Sequence, residues 1–384
     1  MTRVGSALPV LPNGRLGSYE LLRPLARGGM ADIYLARQAG QADPSRFARQ
    51  VAVKVLSRSR ARDPEARAMF LDEARLLAML NHHNIAAVLD VDVVDGNHYL
   101  AMEYIHGADL RELVAAAQHS GTPVPLDAAL AIVCAAAAGL DHAHRRCGPD
   151  GKPLELVHRD VSLSNIMVGH DGSVKVVDFG IATTTIASVQ ASPDLVRGKP
   201  SYMSPEQCLG HDVDLRSDVF ALGVVLYELT TGARCFHGRT DFDRMLAVIR
   251  SDYLAPSDLV ASYPPALEHV IQTALAQAPA RRFASAAAMI DALERVAVDQ
   301  GWVGGAGSIQ RLMSALFAAP TEPAVLQFDD APVTEPHAVV ALPAEPTRAA
   351  RRLARGSEDD RLDDEPTRGR GRLRSPCSRS RLAA

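Results

Sequence analysis

From Tyr19 onward, short apolar runs alternate with turn residues, and YELLRPL, ADIYLARQ and QVAVKVL read as strands of an antiparallel sheet. The period then changes. Phe70, Leu71, Ala74, Leu77, Ala78 and Leu80 recur at helical spacing, behind Asp63 as N-cap and Pro64 at the first helical position. Two further strand-like runs, AAVLDVDVV and HYLAMEYI, flank a turn at Asp95-Gly96-Asn97. After Gly107 the pattern is helical: alanine-rich Leu126 to His144, the apolar DVFALGVVLYELTTG, and segments ending near Val296. The pattern predicts an α+β chain with a small β-rich lobe followed by a larger helical one.

The flanks differ in character. Residues 1–18 carry Pro9, Pro12, Gly14 and Gly17 and are expected to form a flexible leader, with the folded domain at 19–297. Residues 298–384 hold one short amphipathic candidate, SIQRLMSALF. A stretch rich in Pro, Ala, Glu and Asp follows, then an arginine-rich end, so a largely disordered tail is expected. The tetrapeptide EPTR occurs twice there, at Glu345–Arg348 and Glu365–Arg368. It reads either as a phosphosite or docking motif, or as coincidence in a low-complexity tail. The segment CGPDGKP, Cys147 to Pro153, reads as an exposed insertion.

Composition narrows the function classes. Of 384 residues 47% are hydrophobic, enough for a large core, and 41 basic against 45 acidic residues leave a net charge of -4. That balance gives no global reason to bind nucleic acid or an anionic membrane, and no aromatic residue interleaves the six arginines between Arg368 and Arg381. The five cysteines form no C-x-x-C pair, which favours reduced thiols and a cytoplasmic setting. The longest apolar run, Ala128 to Leu140, is too short to span a bilayer.

Several motifs carry chemistry. LARGGMADIYLAR, Leu25 to Arg37, places Gly28 and Gly29 between two strands, where a missing Cβ lets backbone N–H groups approach an anion. Lys54 of VAVK is a cation among apolar neighbours and needs a partner, which Glu73 of the following helix supplies. HRDVSLSN presents Asp160 as a proton acceptor and Asn165 as an oxygen ligand. VVDFG adds Asp178, a second hard donor suited to Mg2+, with Mn2+ as the alternative.

In the order Lys54, Glu73, Asp160, Asn165, Asp178, these motifs resemble those of the bacterial Ser/Thr protein kinases of the eukaryotic type, over roughly residues 19 to 297. The resemblance implies a two-lobed protein kinase fold with ATP in the cleft between the lobes. Leu25, Ala26, Arg27, Gly28, Gly29, Ile33, Ala52, Lys54, Glu103, Ile105 and Met167 would contact the nucleotide, with Met102 as gatekeeper. Lys54, Glu73 and Asp160 would be the catalytic residues, and Asn165 and Asp178 the metal ligands. It further implies that Glu206 pairs with Arg282, that Asp218 anchors the catalytic loop, and that GKPSYMSPEQ receives a protein substrate rather than a metabolite. Hydroxyls between Ile181 and Arg197 would accept phosphate in trans, between associating copies, with Arg159 as the phosphate's partner.

One departure stands out. The family has a lysine where this chain has Ser162, and a threonine where it has Lys199. Two readings follow: an active Ser/Thr kinase whose lysine has moved to Lys199, or a pseudokinase acting as a nucleotide-gated scaffold.

Overall fold

Period-two alternation in the first strands sorts their side chains onto two faces, and both faces are buried. In the computed structural model, which describes residues 14–38, 49–148, 150–179 and 199–317, β1 (Arg15–Leu16), β2 (Tyr19–Arg27), β3 (Ala31–Gln38) and β4 (Gln50–Leu56) run antiparallel. After the short α1 (Arg58–Ala61) comes α2 (Pro64–Ala78), then β5 (Val88–Val94) and β6 (Asn97–Glu103), giving the sheet order β1-β2-β3-β4-β6-β5. Val51, Val53 and Val55 join Leu16, Tyr19, Tyr34 and Tyr99 in a core on one face. Ala52 and Leu56, on the other face, belong to the main core with Phe70, Ala74 and Leu77 of α2. Lys54 shares the face of Ala52 and Leu56, which directs it towards α2.

Local chemistry sets the boundaries. The Asp63 carboxylate accepts a hydrogen bond from the Glu65 N–H at 3.0 Å, and Pro64 occupies the first turn of α2. Asp95 (φ 50°) and Gly96 (φ 74°) take left-handed conformations between paired Val94 and Asn97, as a two-residue hairpin requires.

The second lobe opens with β7 (Gly107–Asp109), α3 (Leu110–Ser120) and α4 (Leu126–His144). A three-stranded sheet, β7 with β8 (Ile166–Gly169) and β9 (Val174–Val176), follows. By length and composition α4 is apolar enough to cross a membrane, the only such helix among the described residues. Its Ala128, Ala129, Ile132, Val133, Ala136 and Leu140 are buried in the lobe's core. Gly139 lets the loop before β5 approach it, since a Cβ there would meet the Asn84 carbonyl oxygen at 2.8 Å. The remaining helices are α5 (Pro205–Leu209), α6 (Arg216–Thr231), α7 (Asp241–Arg250), α8 (Pro256–Leu259), α9 (Pro265–Ala274), α10 (Ala286–Asp299) and α11 (Ala306–Leu316).

Both expected domain limits shift. Leu16, assigned to the leader, is fully buried in β1, so the ordered sheet begins before Tyr19. At the other end, α10 runs past 297 to Asp299, and α11 buries Ile309, Leu312 and Met313 against the core, packing on α4 and α3. The amphipathic stripe of SIQRLMSALF thus belongs to the helical lobe and not to the tail. The tail's EPTR repeats and the hydroxyls between Ile181 and Arg197 lie outside the described residues.

Candidate active site

Lys54 ties three segments of the chain together. Its Nζ donates to Glu73 Oε1 at 2.7 Å and to Asp178 Oδ1 at 3.0 Å, joining β4, α2 and the segment after β9. Burial works against this ammonium, but the Asp178 and Glu73 carboxylates outweigh it and hold the group above the ordinary lysine value. Asp178, in turn, is held below the usual carboxylate range by the Lys54 charge. Its backbone is left-handed (φ 52°), an unusual conformation for a non-glycine residue, and such strain concentrates at functional sites.

Opposite stands the loop His158–Asn165. Asn165 Nδ2 donates to the Asp160 carbonyl at 2.8 Å and to Asp160 Oδ2 at 2.9 Å, which orients the carboxylate. The His158 ring accepts from the Asp160 N–H through Nδ1 (3.2 Å), so its Nε2 carries the proton donated to the Val177 carbonyl (3.1 Å). Beneath the loop lies Asp218, 1% exposed, accepting from the backbone N–H of His158 (2.8 Å) and of Arg159 (2.9 Å) and contacting His144 Nε2 at 2.7 Å. Gln207 Nε2 donates to the Arg159 carbonyl at 2.9 Å while its Oε1 accepts from the Ser204 N–H, the side-chain half of a capping box on α5. The His158–Asn165 loop is therefore tied by its backbone to two helices. Arg159, at φ 66°, is pinned on both sides of its peptide, and its buried Nε has no partner among the described residues.

Lys199 Nζ donates to the buried Ser162 hydroxyl at 3.0 Å and also contacts the Ser164 hydroxyl. The two positions whose residue types depart from the resemblance thus meet directly. Nearby, Glu206 forms a two-point pair with Arg282, NH1 to Oε1 and NH2 to Oε2 each at 2.7 Å, and Ser217 donates to the same carboxylate.

A cleft of about 520 Å3 opens between the lobes, a size suited to a small-molecule ligand. Its lining includes Leu25, Ala26, Ile33, Ala52, Met102, Glu103, Ile105 and Met167, with Asn165 and Asp178 at the polar end. Lys54, Arg27, Gly28 and Gly29 stand outside that lining; the last three are exposed at the β2–β3 turn, where the Gly28 N–H closes the hairpin on the Ala31 carbonyl at 3.0 Å. The Glu103 side chain pairs with Lys175 at 2.9 Å. Apolar walls flanking a backbone edge fit a flat purine, and two hard oxygen donors fit a divalent cation shared with phosphate. No cluster of three or more His, Cys, Asp or Glu among the described residues could cage a metal alone.

His144, Gln207, Ser217 and Lys175 join the site without any expectation from the sequence. The partners of Gln207, Lys175 and His144 lie 48 to 74 residues away, and only the capping pattern of SPEQ gives a local signal.

Comparison with known proteins shows the family and the fold. The model of the protein kinase domain matches residues 19–293. The tyrosine-protein kinase MasK of Myxococcus xanthus is 40% identical over 72% of this chain and 43% of its own length. The serine/threonine-protein kinase PknB of Mycobacterium leprae is 38% identical over the same shares. The chain thus spans less than half the length of these relatives. The crystal structure of the Mycobacterium tuberculosis PknI kinase domain superposes with a TM-score of 0.54 at 31% identity, over 75% of this chain and 99% of that one.

Proposed function

This chain belongs to the protein kinase family, and we propose that it transfers the γ-phosphoryl group of ATP to Ser and Thr hydroxyls of proteins, itself included, in the cytoplasm where ATP is supplied. The observation that carries this reading is the facing pair of constellations: Lys54 held by Glu73 and Asp178 on one side, Asp160 oriented by Asn165 on the other. An intact set of phosphate-facing and proton-accepting groups favours a working enzyme over a nucleotide-gated scaffold.

The chain's own residues divide the work. Leu25, Ile33, Ala52 and Met167 sandwich the adenine, and backbone groups from Glu103 to Ile105 meet its edge. Lys54 holds the α- and β-phosphates, with Glu73 fixing the direction of its ammonium. Asp160 accepts the proton of the attacking hydroxyl as the new P–O bond forms and the bond to the β-phosphate oxygen breaks, leaving ADP. A Mg2+ bound by Asn165 and Asp178 would neutralise charge on the phosphates. Lys199, seated on Ser162, supplies the cation beside the transferred group, in preorganised form.

Ser or Thr as acceptor is supported by the activity for which PknB is named, while MasK is named a tyrosine kinase. Incubation with radiolabelled ATP and Mg2+, followed by phosphoamino-acid analysis, tests the proposal. Phosphoserine and phosphothreonine are expected, with Asp160→Ala inactive. Nucleotide binding without transfer would establish the scaffold reading.

A further inference from the structure

Three imidazoles meet where the loop 79–87, between α2 and β5, rests on the end of α4. The His82 ring stacks on His142 with centroids 5.0 Å apart and lies 4.3 Å from the ring of His83. A cavity of about 600 Å3 opens beside the stacked pair. None of these rings belongs to the active site described above.

The loop they occupy holds both partners of Lys54. At one end it continues α2, which carries Glu73. At the other it is sewn to β9: Asn84 Nδ2 donates to the Val174 carbonyl at 2.9 Å, the Val176 N–H to the Asn84 carbonyl at 2.8 Å, and the Ala86 N–H to the Val176 carbonyl at 3.1 Å. Asp178 lies two residues beyond the end of β9. The same loop meets α4 through His82 on His142 and through Asn84 on Gly139.

Charge at this seam is one-sided. His82 Nδ1 accepts from the Asn84 N–H at 3.1 Å, so the neutral ring keeps its proton on Nε2, and the buried His142 Nε2 has no partner among the described residues. Arg145 and Arg146, at and after the end of α4, line the cavity, and Lys175 of β9 acts on His82. The nearby carboxylates are engaged. Asp141 accepts from Arg145 Nε at 2.9 Å and from the Ala287 N–H at 3.2 Å, and Glu103 accepts from Lys175 at 2.9 Å. The Cys147 thiol contacts the Arg145 carbonyl at 3.7 Å, and α10 adds only apolar Ile290 to the lining. Burial, with the charges of His83, His142 and Lys175, holds His82 below its ordinary value near 6.5.

We propose that the stack is an acid-sensitive latch: neutral imidazoles hold the loop on α4, and protonation of the stacked pair drives it off, withdrawing Glu73 and Asp178 from Lys54. His82 and His142 are thus positioning residues. The effect on rate rests on the kinase reading above, whereas the effect on folding does not. Its sign follows from the lowered folded value. As pH falls below about 6.5 the unfolded chain takes up the proton first, so stability present above that value declines towards the folded one.

The test compares the full chain with His142→Phe, which keeps a ring but takes no proton, and with His82→Asn, whose side-chain oxygen can still accept from the Asn84 N–H. Urea midpoints measured from about pH 7.5 to about 5.5 should fall more steeply for the wild type than for either variant. With ATP and Mg2+ over the same range, kcat should match at the upper pH and diverge in acid. The variant-to-wild-type ratio should reach roughly five- to tenfold, because each extra proton bound by the displaced state changes the equilibrium by up to about tenfold per pH unit. Should His82→Asn fail to fold, His142→Phe decides alone. Parallel midpoints for the wild type and His142→Phe would overturn the latch. Divergent midpoints with one shared kcat profile would overturn its hold on the partners of Lys54. Absence of transfer at every pH would sink the kinase reading and leave the midpoints to decide the latch.

Discussion

Arg282 and Glu206, 76 residues apart, meet in a buried two-point ion pair in which both guanidinium NH groups lie 2.7 Å from separate carboxylate oxygens. The same guanidinium also donates to the carbonyls of Ala276, Arg216 and Gln277, so it welds the α5 end of the substrate loop to α6 and to the turn before α10. Nothing here touches ATP. The pair holds the platform on which the catalytic loop and Lys199 are set.

Removing Arg282 should therefore act on stability first. Arg282→Ala strands Glu206, whose side chain is 7% exposed, and breaking a buried pair from one side costs about 3–5 kcal/mol. Chemical denaturation should show a lower midpoint with little change in slope. The pH dependence follows from sign. Burial alone would raise Glu206, but the hydrogen bonds from Arg282 and Ser217 outweigh it and leave the carboxyl below its ordinary value near 4.5. The wild-type contribution is thus present above about pH 4.5 and is lost as pH falls through the folded value. In Arg282→Ala the stranded carboxylate gains from protonation, so the gap between the two proteins should narrow in acid. A gap that widens would contradict the pairing.

Lys54 and Asp178 should separate activity from stability. Asp178→Ala should abolish phosphotransfer yet unfold near the wild-type midpoint, because its side chain is 35% exposed at the cleft. Lys54→Met should be equally inactive but less stable by about 1–3 kcal/mol, since it leaves Glu73 buried without its partner. Adding Glu73→Gln should return part of that stability and none of the activity. Turnover surviving in Asp178→Ala would refute its assignment as a ligand of the metal.

The placement of these residues shows what a sequence can carry. Lys54 and Glu73 are legible because strand alternation and helical period are local rules that fix which face each residue takes. Asp160 and Asn165 stand out as chemistry-bearing residues of one short loop, but the hydrogen bond between them is seen only in the structure. His144 under Asp218 is not legible, since a histidine at the end of an alanine-rich helix has no local feature tying it to a residue 74 positions away. Nor are the burial of Leu16 and the docking of α11, which depend on surfaces created only once the sheet and α4 exist. The glycine turn illustrates the converse. Its composition signals a phosphate-facing hairpin, yet Arg27, Gly28 and Gly29 stand clear of the cleft lining.

Autophosphorylation should speed the enzyme. Asp218 and Gln207 fix the Arg159 backbone, and its partly buried guanidinium sits where burial lowers its pKa against the pull of Asp218. A phosphate on a hydroxyl between Ile181 and Arg197 would meet that cation in a charge-assisted contact. Progress curves should show a lag that shortens on preincubation with ATP and with rising enzyme concentration, as transfer in trans requires. Arg159→Ala should remove the acceleration. Phosphate confined to residues beyond Phe317 would overturn this activation route.

The Lys199–Ser162 contact makes the most exposed prediction. With the ammonium 3.0 Å from a buried hydroxyl in the loop that bears Asp160, Lys199→Thr should cost on the order of 10²-fold in kcat, with a smaller effect on ATP binding. Ser162→Lys alone should also harm the enzyme, because it would force a second ammonium into a site whose own side chain is fully buried and already faces Lys199. Carrying both changes restores one cation and one hydroxyl in exchanged positions, so the double variant should recover much of the lost rate. Contacting residues couple, and the cycle should return an interaction energy of about 0.5–3 kcal/mol. A double variant no faster than the product of the two single defects would mean that the contact does not reach the transition state. Catalysis would then rest on Lys54 and Asp160, with no second lysine.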